Sequence, residues 1–228
     1  MPSDPADPVP ARPAPRSRSG PVRGTAALRV GLGLLIALCV GIELALQLSD
    51  RGWLLRPGLR ALAYEYGAFW APLLRGWQPN YALQPWTMFA SYAVLHGGLW
   101  HLVFNMITLW SFGLALARED GAWGMAGLLA AGVLGGGVAH GLLSTAPNPM
   151  VGLSGGLFGL MGGLVWLRLR DAVAGRMTFG PVWRIVLVLV AINLVTWWAL
   201  DGRLAWEAHL GGTLAGLANA AGRRGLGR

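Results

Sequence analysis

The sequence predicts an all-α polytopic membrane protein whose six transmembrane helices form one bundle. Three observations carry that expectation. Hydrophobic residues make up 54% of the 228-residue chain and charged residues only 12%, about half the charged share of a soluble domain. The apolar residues gather into runs of roughly membrane-spanning length, and the chain has room for about six of them. Finally, the chain carries 35 Gly and 12 Trp, a pairing that suits closely packed helices with interfacial anchors.

Residues 1–27 are rich in Pro, Ser, Asp and Arg and read as a disordered basic tail on the cytoplasmic side. The first span runs from Leu28 to Leu48. It is too long for a typical signal peptide and lacks a clear small-residue cleavage site, so it is expected to be retained. Glu43 and Gln47 lie one turn apart near its end and should face protein or the interface, not lipid. Residues 49–86 combine Trp53, Trp70, Trp77 and Trp86 with several Arg and Pro, which suits an amphipathic structure at the membrane surface. The second span covers Ser91 to Ala117 and ends at Arg118-Glu119-Asp120. The third covers Ala122 to Leu143. A turn with Pro147 and Pro149 follows, then spans over Val151–Leu169, Val182–Leu200 and Leu204–Ala221. Residues 28–221 thus form the membrane domain, with 222–228 as a short cytoplasmic tail.

Arginine supplies every positive side chain in the net charge of +8. With six spans, both termini lie on one side. That side receives Arg12, Arg16, Arg18, Arg23, Arg29, Arg118, Arg168, Arg170, Arg176, Arg184, Arg223, Arg224 and Arg228. The other receives Arg51, Arg56, Arg60, Arg75 and Arg203. The heavier side should be cytoplasmic. Because these arginines flank apolar segments and form no stripe, they describe topology and give no sign of nucleic-acid binding. The single cysteine, Cys39, can form neither an intrachain disulfide nor a cysteine metal site.

A serine and a histidine at bilayer depth are functional candidates because polar groups there are costly. Gly152-Leu153-Ser154-Gly155 opens the fourth span, and Ala208-His209-Leu210-Gly211-Gly212 lies in the sixth. Pro147 and Pro149 should keep the chain extended until just before Ser154, and Gly152 permits an unusual backbone angle or close approach. Ser154 then sits where backbone N–H groups are free and the helix dipole favours negative charge. Gly155, Gly159 and Gly163 recur every four residues, as do Gly212 and Gly216. Packing of these small faces would bring His209 within reach of Ser154 as a general base. Glu207 is only two residues from His209 and points elsewhere on a helix, so the expected site is a Ser-His dyad. His101 and Asn105 share one face of the second span and can both donate toward an oxyanion. His96 shares that face poorly and is assigned to loop support or water access. His140 lacks comparable company and reads as structural.

These segments resemble the rhomboid family of intramembrane serine proteases. The resemblance runs through Pro85-Trp86, the His96/His101/Asn105 set, Gly152-Leu153-Ser154-Gly155, and Ala208-His209-Leu210-Gly211-Gly212 with Gly216 beyond, covering about residues 50–221. It implies a six-helix core, a Ser154–His209 dyad, an oxyanion site of His101, Asn105 and the Ser154 backbone, and no metal, nucleotide or other cofactor. It further implies transmembrane-helix proteins as substrates, cleaved through an acyl-enzyme, and a first loop embedded in the membrane. Phe158 stands where many members have a Tyr that stacks on the histidine, so stacking should persist without the hydroxyl. Trp86-Thr87 stands where many have Trp-Arg, which bears on the loop more than on chemistry. The expected setting is a bacterial inner membrane with the site toward the outer face. The alternative is a catalytically silent rhomboid-like protein that binds transmembrane helices. A transporter would show repeated halves with broken helices, and no convincing repeat is present. The sequence leaves the oligomeric state open.

Overall fold

The computed structural model describes residues 25–54 and 57–224. The expected basic tail over residues 1–24, Arg56 and residues 225–228 lie outside them. In chain order the helices are α1 (Thr25–Asp50), α2 (Leu59–Gly67), α3 (Gln84–Ser91), α4 (Leu99–Asp120), α5 (Ala122–Leu143), α6 (Ser154–Val173), α7 (Gly180–Ala199) and α8 (Trp206–Arg224). Short 3₁₀ turns occupy Ala71–Arg75 and Tyr92–Val94. The protein is an all-α polytopic membrane protein built as a helical bundle.

Among the described residues, α1, α4, α5 and α7 are both long and apolar enough to cross a membrane. The sequence reading expected six such spans. Helices α6 and α8 have comparable length, 20 and 19 residues, but are more polar. Their position supplies the reason. Twelve residues of α6 are buried, from Gly155 to Ala172, and α8 packs along both α5 and α6. Polar groups packed against protein are tolerated where lipid-facing ones are not: α6 is largely enclosed, and α8 turns Glu207 and His209 inward while Trp206, Leu210 and Leu214 stay exposed on its outer face. In α7, by contrast, Val182 is the buried residue, and its surface is correspondingly apolar.

Glycine sets the spacing of the central trio α5, α6 and α8. A Cβ at Gly212 would run into the carbonyl oxygen of Gly155, and one at Gly216 into that of Gly159. On the α5 side, a Cβ at Gly132 would fall 2.7 Å from the Gly159 Cα. The expected small faces therefore meet at Gly155, Gly159, Gly212 and Gly216. Gly163 departs from the expected α6–α8 seam, since a Cβ there would meet Leu128 of α5. Each four-residue step advances about 40° past a full turn, so the row has turned toward α5 by Gly163. Gly162, close to two full turns after Gly155, instead faces the Thr213 carbonyl of α8.

The second expected span began at Ser91, but α4 starts at Leu99. Gly98 at φ 128° breaks the helix in a backbone region open to glycine. The segment between α1 and α4 is more buried than a surface-lying structure would be. Ala68, Phe69, Ala71 and Met88 are fully enclosed, while Trp53, Trp77 and Trp86 remain exposed. Its anchor is Arg60, which reaches the enclosed Glu43 carboxylate at 2.9 Å, Asp50 at 2.6 Å and the His96 carbonyl at 3.1 Å. Partial burial works against the Arg60 charge, but the hydrogen bonds to Glu43, Asp50 and Tyr64 outweigh it and raise the pKa. Gln47 completes the cluster by donating to Glu43 at 2.9 Å. These contacts account for both polar residues near the end of α1.

At the opposite end of the bundle, Arg168 of α6 forms a two-pronged bond to Glu119 at 2.7 and 2.8 Å. Arg223 of α8 lies 2.7 Å from Asp120. The ends of α4, α6 and α8 are thereby tied together on the arginine-rich side.

Candidate active site

The chain enters the site through an extended stretch from Ser144 to Gly152. Pro147 and Pro149 favour that conformation, and Met150 exchanges backbone hydrogen bonds with Phe69 at 2.9 and 3.0 Å. The N–H of Gly152 then donates to the Tyr92 carbonyl at 2.9 Å. The α1–α4 connection thus fixes the extended segment that delivers Ser154. Gly152 has φ 121°, and a Cβ there would lie 2.6 Å from the His101 ring. Both the backbone angle and the close approach require glycine.

Ser154 is the first residue of α6. Its N–H belongs to the first turn, where no helical carbonyl is available. Its Oγ lies 2.9 Å from Nε2 of His209, in the first turn of α8. Phe158, one turn further along α6, lies flat against the imidazole, with centroids 4.1 Å apart and planes 7° from parallel. His209 is buried at 6% exposure. The α6–α8 glycine contacts make this pairing possible, because a larger residue at Gly212 would separate the two backbones.

His101 projects from α4 toward the Gly152 turn. Its Nδ1 accepts from the Gly97 N–H at 3.2 Å, which leaves Nε2 as the protonated nitrogen beside Gly152. Asn105, one turn on, is buried. Its amide donates to the His101 carbonyl at 2.7 Å, and its Oδ1 has no hydrogen-bond partner among the described residues. One amide hydrogen is engaged, so the second remains available. No hydrogen bond joins Asn105 to Ser154 or His209 among the described residues. His96 is fully buried and packs edge-on against His101 at 5.3 Å. Burial, and secondarily the neighbouring His101, push its pKa down to about 4.

Two features depart from the sequence reading. His140 has company after all. Its Nδ1 lies 3.5 Å from Glu207 Oε2, and its ring meets Phe69 edge-on at 5.8 Å. Glu207 therefore faces His140 and leaves His209 to another partner. That partner is Asn193 of α7, whose Oδ1 lies 2.8 Å from His209 Nδ1. The expected dyad thus gains a third hydrogen-bonded group, and it is a neutral amide, not a carboxylate. The available signal was an Asn in an otherwise apolar span, the same cost argument that singled out Ser154 and His209.

A bundle of membrane helices enclosing a serine hydroxyl against a stacked imidazole defines the class of protein. The Rhomboid domain model matches residues 82–224, and the chain belongs to the rhomboid family. It is 32% identical to "Rhomboid protease GluP" of Bacillus subtilis over 136 residues, 60% of this chain and 26% of that protein. It is 32% identical to "Rhomboid protein 1, mitochondrial" of Saccharomyces cerevisiae over 137 residues, 55% of this chain and 38% of that one. It is 27% identical to "Rhomboid-related protein 2" of Mus musculus over 196 residues, 81% of this chain and 62% of the relative. The chain spans less than two thirds of the length of each.

Proposed function

We propose that the protein is an intramembrane serine endopeptidase that cleaves transmembrane or membrane-proximal segments of other membrane proteins. The observation that carries this reading is the 2.9 Å contact between Ser154 Oγ and His209 Nε2, enclosed in a bundle where an idle pair of polar groups is costly. Membership of the rhomboid family and the similarity to "Rhomboid protease GluP" of Bacillus subtilis support it.

In this mechanism all six long helices span the membrane, with α6 at the centre and the polar face of α8 turned onto α5 and α6. Both termini are cytoplasmic and the site opens toward the outer face. A bacterial inner membrane suits the arginine asymmetry. Residues 28–221 constitute the working domain, flanked by the basic tail and the short C-terminal tail.

The substrate helix must unwind locally, because a helical amide is already hydrogen-bonded and sterically covered. Gly, Pro or polar residues in the substrate lower that cost. Ser154 Oγ attacks the scissile carbonyl while its proton passes to His209 Nε2. Charge develops on the carbonyl oxygen, which the Ser154 N–H, the His101 Nε2–H and the second Asn105 amide hydrogen are suited to stabilise. His209 returns the proton to the leaving amine as the acyl-enzyme forms. Water, deprotonated by the same imidazole, then releases the second fragment and regenerates Ser154. Phe158 holds the ring plane throughout, and Gly152 keeps the approach to His101 open. None of these steps requires a cofactor.

Exposure of the purified protein to a fluorophosphonate probe tests this reading. The expected result is a single adduct, mapped by mass spectrometry to Ser154 and lost in His209→Ala. A folded protein whose Ser154 does not react would instead favour a silent helix-binding member of the family.

A further inference from the structure

The hydrogen bonding around His209 extends beyond the serine. We propose that Asn193 is a positioning residue of the site, holding His209 in the one tautomer that can take the Ser154 proton. The inference rests on the serine-endopeptidase reading of Ser154 and His209 and adds a third group, on a third helix.

The direction of the bonds follows from one fixed point. Asn193 Nδ2 donates to the Leu189 carbonyl at 2.9 Å, and a backbone carbonyl can only accept. The amide is therefore oriented with its oxygen toward His209, 2.8 Å from Nδ1. An amide oxygen can likewise only accept, so Nδ1 carries the proton. In the neutral ring Nε2 is then a bare lone pair facing Ser154 Oγ at 2.9 Å. The chain of bonds runs Ser154 Oγ–H to Nε2, Nδ1–H to Asn193 Oδ1, and Asn193 Nδ2–H to the backbone of α7.

With the opposite tautomer, Nε2–H would point at the serine oxygen and no base would be present. Phe158 restrains the plane of the ring but cannot choose between tautomers. Asn193 does so without placing a charge in the bundle, where a carboxylate would be costly. When the Ser154 proton reaches Nε2, Nδ1 keeps its own and donates it more strongly to the amide oxygen. The proton later leaves from Nε2 to the amine, and Asn193 never gains or loses one. Among the described residues, the titratable group acting on His209 across the site is His101 of α4. On its own helix, Glu207 faces His140.

The test compares wild type, Asn193→Leu, Asn193→Asp and Ser154→Ala, purified in lipid vesicles with a single-span substrate, over a range of pH. Leu has nearly the same shape and no acceptor. Asn193→Leu is expected to lower kcat by roughly 10- to 100-fold with KM unchanged. Asn193→Asp restores an acceptor and most of the rate. Its carboxylate stabilises the imidazolium, so the acidic limb of the pH–rate profile moves up by about one pH unit. A merely structural role would not move that limb. Wild-type kcat in Asn193→Leu would overturn the proposal, as would Asn193→Asp with Leu-like kcat and an unmoved limb.

¹⁵N spectra of histidine-labelled protein provide a readout independent of turnover. His209 is expected to show a protonated Nδ1 and a bare Nε2 in wild type, with that pattern lost in Asn193→Leu. If wild type and Ser154→Ala are equally inactive on every substrate, the endopeptidase reading fails and the spectra alone decide the positioning role. A His209 with protonated Nε2 in wild type would overturn it.

Discussion

One methyl group at Gly132 tests whether the glycine contacts set the geometry of the site. A Cβ there would lie 2.7 Å from Gly159 Cα, 2.8 Å from Gly155 O and 2.9 Å from Gly156 O. All three are backbone atoms of α6, so no side chain can turn aside. Favourable carbon contacts begin at about 3.5 Å, which requires α5 and α6 to part by roughly 0.8 Å. Overpacking of this kind costs about 1–3 kcal/mol. For a chain of this length the unfolding temperature should fall by roughly 2–12 °C. The displaced segment adjoins Ser154, whose Oγ would then lie beyond its present 2.9 Å from His209. A misplacement of 1 Å can cost about 100-fold in rate, so turnover should fall by about 10-fold or more. The assay is thermal unfolding in mild detergent, paired with turnover of a single-span substrate. Gly41→Ala is the control, since a Cβ there meets nothing within 4 Å. It should unfold at or above the wild-type temperature. Gly132→Ala with wild-type unfolding and turnover would refute the reasoning.

Three further outcomes are expected. Arg60→Ala leaves the fully enclosed Glu43 carboxylate without its guanidinium and should cost about 3 kcal/mol, the lower end for a broken buried pair because Arg60 is partly exposed; denaturation of Arg60→Ala with and without Glu43→Gln should show the second change recovering much of the loss. Phe158→Ala removes the ring stacked on His209, worth about 1 kcal/mol, and should lower kcat about fivefold, whereas Phe158→Tyr keeps the stack and most of the rate. His96 is held near a pKa of about 4, below the ~6.5 of an unfolded histidine, so the unfolded chain binds the proton first. Its contribution is complete above about pH 6.5 and is lost as pH falls from there toward 4, at up to about 1.4 kcal/mol per unit. Unfolding temperatures measured across that window should fall less steeply in His96→Asn.

Much of this arrangement was legible in the residues because membrane burial makes polar groups conspicuous. Ser154, His209, His101 and Asn105 stood out as costly side chains in apolar runs, and the prolines before Ser154 located the start of α6. Glycine spacing indicated which helix faces could meet, although Gly163 turns toward α5 because its row winds around the helix. What sequence spacing could not supply was the pairing of side chains between helices. His140 and Glu207 lie on α5 and α8, 67 positions apart, and no local pattern links them. Asn193 was visible as a polar residue in α7, but its partner depends on how α7 sits against α8. The connection between α1 and α4 read as amphipathic from its exposed Trp residues, while the buried role of Phe69 and Met88 depends on contacts with distant segments.

The most direct test of the central claim is cleavage of single-span substrates in lipid vesicles by wild type, Ser154→Ala and His209→Ala, with product termini sequenced. The expected result is wild-type cleavage within or beside the substrate's membrane segment, abolished in both variants although each remains folded and inserted. Cleavage that persists in purified Ser154→Ala would contradict the account.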